Sequence, residues 1–375
     1  EAAAREADEK AKKAEQERLA ATRKAPATTQ TTQPATKEAA TKAAEPPAGW
    51  RIPGADQPSP AALGSDQFAD PKYQLYVALA ARGAAVDAVL INDFYQTVEK
   101  DKLYRFPGYT DAAAPVMPFA ARAVVIGEKR LSLDDVVWKL KSKTENTATY
   151  TVDIYNGQQH VLEIAKTYHL VPVPENEKEI GRGYQLDISY EVRNVSGEAR
   201  EVKLLVNGPV SAQAENRNDQ PSVIAGYDNE GAVVVEHEPV ASIIDDKKAF
   251  EVKSKYPNLL WVGQSNAYFN AIVRPVPKQT TLPIEKVEAL PVTGPLPYSL
   301  LVLETKAVNI EPQKDARLTL EVYLGPKLRE ILNEQYYASF PRGYDETVVL
   351  KQTGFPGSCC AACTWVWLVD GLVWV

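Results

Sequence analysis

Residues 184–192 read Tyr184-Gln185-Leu186-Asp187-Ile188-Ser189-Tyr190-Glu191-Val192. Every second side chain is apolar and those between are polar. That period of two marks a strand with one buried and one wet face. A helix would bring apolar residues back every three to four positions, and this run does not. The alternation recurs at Tyr150, Val152 and Ile154, and at Leu318, Leu320, Val322 and Leu324. Leu75, Val77 and Leu79 begin another strand, Arg82-Gly83-Ala84-Ala85 interrupts it, and Val86, Ala88 and Leu90 resume it. Turn signals separate the runs at Asn156-Gly157, Ser196-Gly197, Asn207-Gly208 and Asn229-Glu230-Gly231. Many strands at short spacing, with no helical period between them, predict a mainly β fold. An antiparallel sandwich is expected rather than a parallel α/β sheet. Residues 64–324 exceed one immunoglobulin-sized unit, so one large two-sheet sandwich is expected there. The Pro-rich stretch from Pro275 to Pro297 reads as a long loop over its edge.

The flanks have other compositions. Residues 1–24 are rich in Ala, Glu, Lys and Arg without an apolar stripe, which predicts a charged helical stalk and not a coiled coil. Residues 25–63 are rich in Ala, Thr, Pro and Gln and read as a linker, having too little apolar surface to offset ordering entropy. Over 325–340 the period changes. Leu328, Ile331, Leu332 and Tyr336 fall on a single helical face, with Pro326 placed for the first turn. That face is expected to pack on the sandwich. Residues 341–358 read as a loop. Residues 359–375 are apolar apart from Thr364 and Asp370, and Trp365, Trp367 and Trp374 crowd into them. Such a run is shorter than a full span, but Trp favours the membrane–water boundary. An interfacial helix entering a membrane is expected, with the chain stopping where the polypeptide reaches the bilayer. No Lys or Arg follows Lys351, which favours the extracytoplasmic side for what precedes.

The 375 residues carry a formal net charge of −7. That balance, without a basic stripe, argues against nucleic acid as a partner. The three cysteines, Cys359, Cys360 and Cys363, lie together near one end, so no disulfide framework holds the preceding chain. As a zinc site they lack further ligands and a nearby His, and neither a metal nor a cofactor is expected. His160, His169 and His237 are scattered over strands and turns. Neighbouring carboxylates at Asp134-Asp135 and Asp245-Asp246 point to opposite faces or to water, so neither is an acid–base couple. No G-x-S-x-G, H-E-x-x-H or Gly-rich phosphate loop is present. No catalytic residue is assigned. Trp261, Tyr268 and Phe269 combine large aromatics with Gly263 and polar neighbours, which suits a cleft; core packing is the plainer account.

Four ordered stretches resemble one family. Trp261-Val-Gly-Gln-Ser-Asn-Ala-Tyr-Phe is similar to a W-x-G-x-x-x-x-Y-F segment in the large periplasmic domain of YidC-type membrane protein insertases. Leu79-Ala-Ala-Arg-Gly-Ala-Ala resembles its early strand pair, with Ala80-Ala81 where a polar residue is common. Gly183 to Asn194 resembles its central strand. Tyr323-Leu-Gly-Pro-Lys resembles the exit from the last strand into a helix. The run Trp365 to Trp374 resembles the surface helix ahead of the family's membrane core. The segment between Ala112 and Arg130, and the cysteine cluster, have no counterpart there.

The resemblance implies a β-super-sandwich shaped like galactose mutarotase. It implies a C-terminal helix that contacts the membrane core, through Leu328, Ile331, Leu332 and Tyr336. It also implies a role in inserting and folding inner-membrane proteins from the periplasmic side, without a cofactor. The partners implied are nascent membrane proteins, the Sec translocon and the lipid bilayer. The family's functional Arg lies in a membrane core that this sequence does not contain. Two other readings compete. A mutarotase-like carbohydrate-binding protein or epimerase would need His160 or His169 hydrogen-bonded to a carboxylate in an open groove. An envelope adhesin or scaffold would have no use for the Trp-rich run.

Overall fold

A computed structural model of the chain describes residues 49–348, apart from 97–98, 101, 107–116, 176, 213, 215–218 and 293–296. The stalk at 1–24, most of the linker, the cysteines and the tryptophans Trp365, Trp367 and Trp374 therefore lie outside the described residues.

The described residues begin with strands β1 (Trp50–Arg51), β2 (Ala61–Gly64), β3 (Leu75–Ala80), β4 (Ala85–Tyr95), β5 (Leu103–Phe106), β6 (Ala121–Ile126) and β7 (Lys129–Ser132). Next come β8 (Lys139–Lys143), β9 (Thr147–Asn156), β10 (Gln159–Leu170), β11 (Gln185–Asn194), β12 (Arg200–Val210), β13 (Ser222–Asn229) and β14 (Ala232–Pro239). Helix α1 (Val240–Asp246) leads to β15 (Phe250–Glu251), β16 (Asn258–Ser265), β17 (Phe269–Pro275), β18 (Ile284–Val292), β19 (Tyr298–Thr305), β20 (Val308–Ile310) and β21 (Asp315–Pro326). Two one-turn helices follow, α2 (Arg329–Leu332) and α3 (Gln335–Ala338).

The opening alternation becomes β11, near the middle of a ten-stranded sheet ordered β1-β9-β10-β11-β21-β17-β16-β13-β14, with β8 also on β9. A seven-stranded sheet runs β15-β18-β19-β12-β6-β7, with β20 on β12, and a four-stranded sheet runs β2-β3-β4-β5. The pairings of β11 with β10 and with β21 are antiparallel and free of register shifts. On β11 the inward residues Leu186, Ile188, Tyr190 and Val192 are at most 1% exposed. On β21, Leu318, Leu320, Val322 and Leu324 are equally shut off from water. Each such side chain contributes about 2 kcal/mol by leaving water, so a one-residue register slip would forfeit the whole face. The core joins all three sheets in one apolar cluster.

Several expectations change. The folded region starts before Gly64: β1 pairs with β9 and β2 with β3, both inside the stretch read as linker. The Pro275–Pro297 stretch holds β18, whose Val287 and Ala289 are buried. Prolines fit there because β15 covers β18 only at Glu288 and Ala289, leaving Pro291 on an open edge. Asn207-Gly208 is no turn. It lies within β12 at a register shift, where Asn207 Nδ2 donates to Met117 O (3.1 Å) and Gly208 O accepts from Phe119 N–H (3.2 Å). Glycine fits here because a Cβ would lie 3.0 Å from both Leu301 Cβ and Leu303 Cδ1.

The continuous helix expected over 325–340 is also absent. Pro326 ends β21, and Leu328 is extended. The helical stretch breaks at Glu334, whose carboxylate accepts the Gly181 N–H at 2.9 and 3.2 Å. That tertiary bond competes with helical backbone at the same residue.

Candidate functional site

The wet residues of β10, β11, β17 and β21 face one groove of about 890 Å³. Register sets them in rows. His169 stands opposite Asp187, Asp187 opposite Glu321, and Glu321 opposite Arg274, straight across four strands. One pleat along, Thr167, Ser189 and Thr319 form a hydroxyl row. Beyond it Glu191 faces Arg317, with the guanidinium 2.8 Å from Glu191 and 3.0 Å from Asp315. The charges of the groove thus pair largely with one another.

The floor at one end is buried. Glu321 receives two hydrogen bonds from Arg274, at 3.2 and 3.0 Å. It receives two more from Arg342, at 2.7 and 2.8 Å. Tyr336 O–H donates to the same carboxylate at 2.9 Å, and its ring lies 3.7 Å under the Arg342 guanidinium. Burial alone would push the Glu321 carboxyl up, but the hydrogen bonds from Arg342 and Arg274 outweigh it and hold the pKa at about 2.

Arg342 comes from outside the sheet. It belongs to the connector, residues 327–348, which an aromatic stack joins to the core. Tyr323 packs on Tyr337 (5.0 Å between centroids), Tyr337 on Tyr344 (5.5 Å), and Tyr344 edge-on to Trp261 (5.4 Å). Trp261 Nε1–H donates to Arg342 O at 2.6 Å, and Tyr337 O–H to Gly181 O at 2.9 Å. Asn270 Nδ2–H donates to Thr347 Oγ1 at 2.7 Å.

The residues singled out in the sequence divide. Trp261 and Phe269 are core, and Tyr268 is 55% exposed in the turn between them. Of the connector residues, Leu332 is fully buried, Tyr336 is taken up by the groove floor, Ile331 is half-buried, and only Leu328 is exposed. They do not form one outward face, because the helical backbone breaks at Glu334. His160 stands 3.1 Å from Asp153 and stacks on Tyr155, but on the β9–β10 hairpin and not in the groove. His169 lines the groove, yet its Nδ1 is 3.6 Å from Asp187, too far for a hydrogen bond. His237 sits on β14. Sequence reading missed Arg274, Glu321 and Arg342. Glu321 and Arg274 were legible as charges on the wet face of strands; their meeting with Arg342 depends on strand order and had no local signal.

Three antiparallel sheets on one core, a polar groove on the largest and a short connector leaving its central strand define a mainly β fold of sandwich type. Among solved structures it is similar to the Slr1438 protein from Synechocystis sp. PCC 6803 (TM-score 0.45, 10% identity, covering 72% of this chain and 96% of that one). It is also similar to a galactose mutarotase-like protein from Lactobacillus casei (TM-score 0.43, 10% identity, 71% and 100%). No curated protein matches the chain in sequence. The family is settled by its own model: residues 69–348 match the YidC periplasmic domain, and the chain belongs to that family.

Proposed function

We propose that this chain is the periplasmic module of a membrane protein insertase. In this reading it works at the inner membrane, facing the periplasm, and helps insert and fold membrane proteins alone or with the Sec translocon. The family match over residues 69–348 carries the reading. The connector supports it, since it leads from the central strand towards the Trp-rich run at 359–375. No helix among the described residues is long and apolar enough to cross a membrane. In this reading the domain's role is accessory: it positions and contacts. Photo-crosslinkers at Leu328 and Ile331, in cells making the protein, test this. Adducts with inner-membrane proteins and translocon subunits are expected. Adducts confined to soluble envelope enzymes would overturn it.

A second reading, carbohydrate binding or epimerisation, draws on His169 and Asp187 lining the polar groove. Polarimetry of freshly dissolved α-galactose decides it. Interconversion at the rate of buffer alone is expected; acceleration abolished by His169→Ala would favour the enzyme.

A further inference from the structure

The described residues include five exposed large apolar side chains: Phe68 (49%), Ile180 (38%), Tyr268 (55%), Leu328 (44%) and Phe340 (48%). Scattered singly over a surface, such residues need no account. Four of these are not scattered. Tyr268 O accepts the Lys327 N–H at 2.7 Å, beside Leu328. Phe269 pairs with Pro326 at the end of β21. Ile180 lies in the 3₁₀ turn that runs into β11, whose first residue pairs with Tyr323 at that same end. Phe340 stands apart: Gly343, in the same turn, packs on Val233 beside the Asn229–Gly231 hairpin. Phe68 stacks on Tyr95 at 4.4 Å, and the adjacent Phe94 packs edge-on to Phe269 at 5.7 Å. Phe68, Ile180, Tyr268 and Leu328 surround the end of the large sheet where the connector leaves. The opposite end, with the hairpins at Asn156-Gly157 and Asn229–Gly231, carries none of these four.

We propose that this end of the sheet rests on a lipid bilayer, with Phe68, Ile180, Tyr268 and Leu328 entering its headgroup region. The inference builds on the proposed function and names the surface that meets the membrane. Concentrated apolar tips on an otherwise charged protein mark a contact surface. Their form suits lipid: separate rings and branched chains among polar residues, with Lys100 Nζ 5.9 Å above the Tyr95 ring. The chain's own course agrees. Thr347 is bonded to Asn270 at this end, and Trp365 follows Val348 by 17 residues, a reach of at most about 60 Å.

The test uses the full chain with Cys359→Ser, Cys360→Ser and Cys363→Ser. Single cysteines at Phe68, Ile180, Tyr268 or Leu328, and at Glu230 as a distant control, carry an environment-sensitive fluorophore. Vesicles of phosphatidylethanolamine and phosphatidylglycerol contain a headgroup nitroxide quencher. Quenching is expected at the four patch positions and not at Glu230. Leu328→Ser with Phe68→Ser is expected to weaken vesicle binding about tenfold, since two half-shielded apolar side chains contribute roughly as much as one fully buried. A chain that binds vesicles while the patch probes stay unquenched overturns this inference and leaves the proposed function standing. A chain that does not bind vesicles overturns both. Patch probes shielded from water but untouched by the lipid quencher would show a protein, or a second copy, in the bilayer's place, and overturn it too.

Discussion

Arg342 and Glu321 meet through two hydrogen bonds, 2.7 Å from Nε to Oε1 and 2.8 Å from Nη2 to Oε2, so a residue of the connector closes onto the central strand of the sheet. Arg274 holds the same carboxylate from β17. The two substitutions are therefore unequal. Arg342→Ala leaves a complete Arg274–Glu321 pair and is expected to cost about 2 kcal/mol, whereas Glu321→Ala leaves two buried guanidinium groups without their anion and costs about 4 kcal/mol. Urea denaturation of the two variants measures the difference; equal costs would mean that Arg274 does not share the carboxylate.

The same carboxylate gives stability a pH dependence. Its pKa of about 2 in the folded chain lies below the ordinary value of 4.5. The contribution is complete above about pH 4.5 and is lost as pH falls towards 2, on the order of 3 kcal/mol in all. Glu321→Gln removes that dependence. Denaturation midpoints of the native chain and the variant, followed down the acid range, should converge; parallel curves would refute the assignment.

Gly226 gives Trp261 its room. A Cβ at Gly226 would fall 2.1 Å from Trp261 Cε2, inside the ring's own volume. Gly226→Ala is therefore expected to displace the indole, break its bond to Arg342 O and cost about 3 kcal/mol. Intrinsic tryptophan emission should shift to the red. Trp261→Phe, which shrinks the indole to a phenyl ring and loses the N–H, should cost about 2 kcal/mol by the same denaturation assay.

Lys327 sits where the strand becomes the connector, with Nζ 3.3 Å from Ser265 Oγ and 3.2 Å from Asn266 O. Burial brings its pKa down to about 8. Because the folded value lies below the unfolded one, folding disfavours the cation. The contribution to stability rises as pH increases from about 8 to about 10.5. An NMR titration of the Lys327 ε-methylene is expected to show a midpoint near 8, and Lys327→Met should flatten the alkaline rise in stability. A midpoint at the ordinary lysine value would contradict the burial.

Much of the fold was readable because alternation is a local property. Leu186, Ile188, Tyr190 and Val192 announce their strand without reference to any other residue, and the structure seals all four. The errors arose where a distant neighbour overrides the local signal. Asn207-Gly208 has turn composition, yet the backbone at Met117 and Phe119 draws it into a strand. Leu328 to Tyr336 has helical spacing, yet Glu334 turns to Gly181, 153 positions away in sequence. Prolines disguised β18 because an edge strand tolerates them and a central one does not. The groove floor was the least legible part. Arg274, Glu321 and Arg342 lie apart in sequence; the neighbouring of β17 and β21 brings the first two together, and the connector folds back to add the third.

The placement of β21 also decides how the domain would carry a mechanical load. It is bonded to β11 from Asp315 to Tyr323 and to β17 from Leu320 to Pro326. Tension on the connector runs along the strand axis and must shear both ladders together. At the other end of the described chain, β1 meets β9 through only Trp50 and Arg51. A pull there opens two residue pairs one after the other. The two attachment points of the domain are thus a firm anchor and a release, and under strain the N-terminal side gives way first.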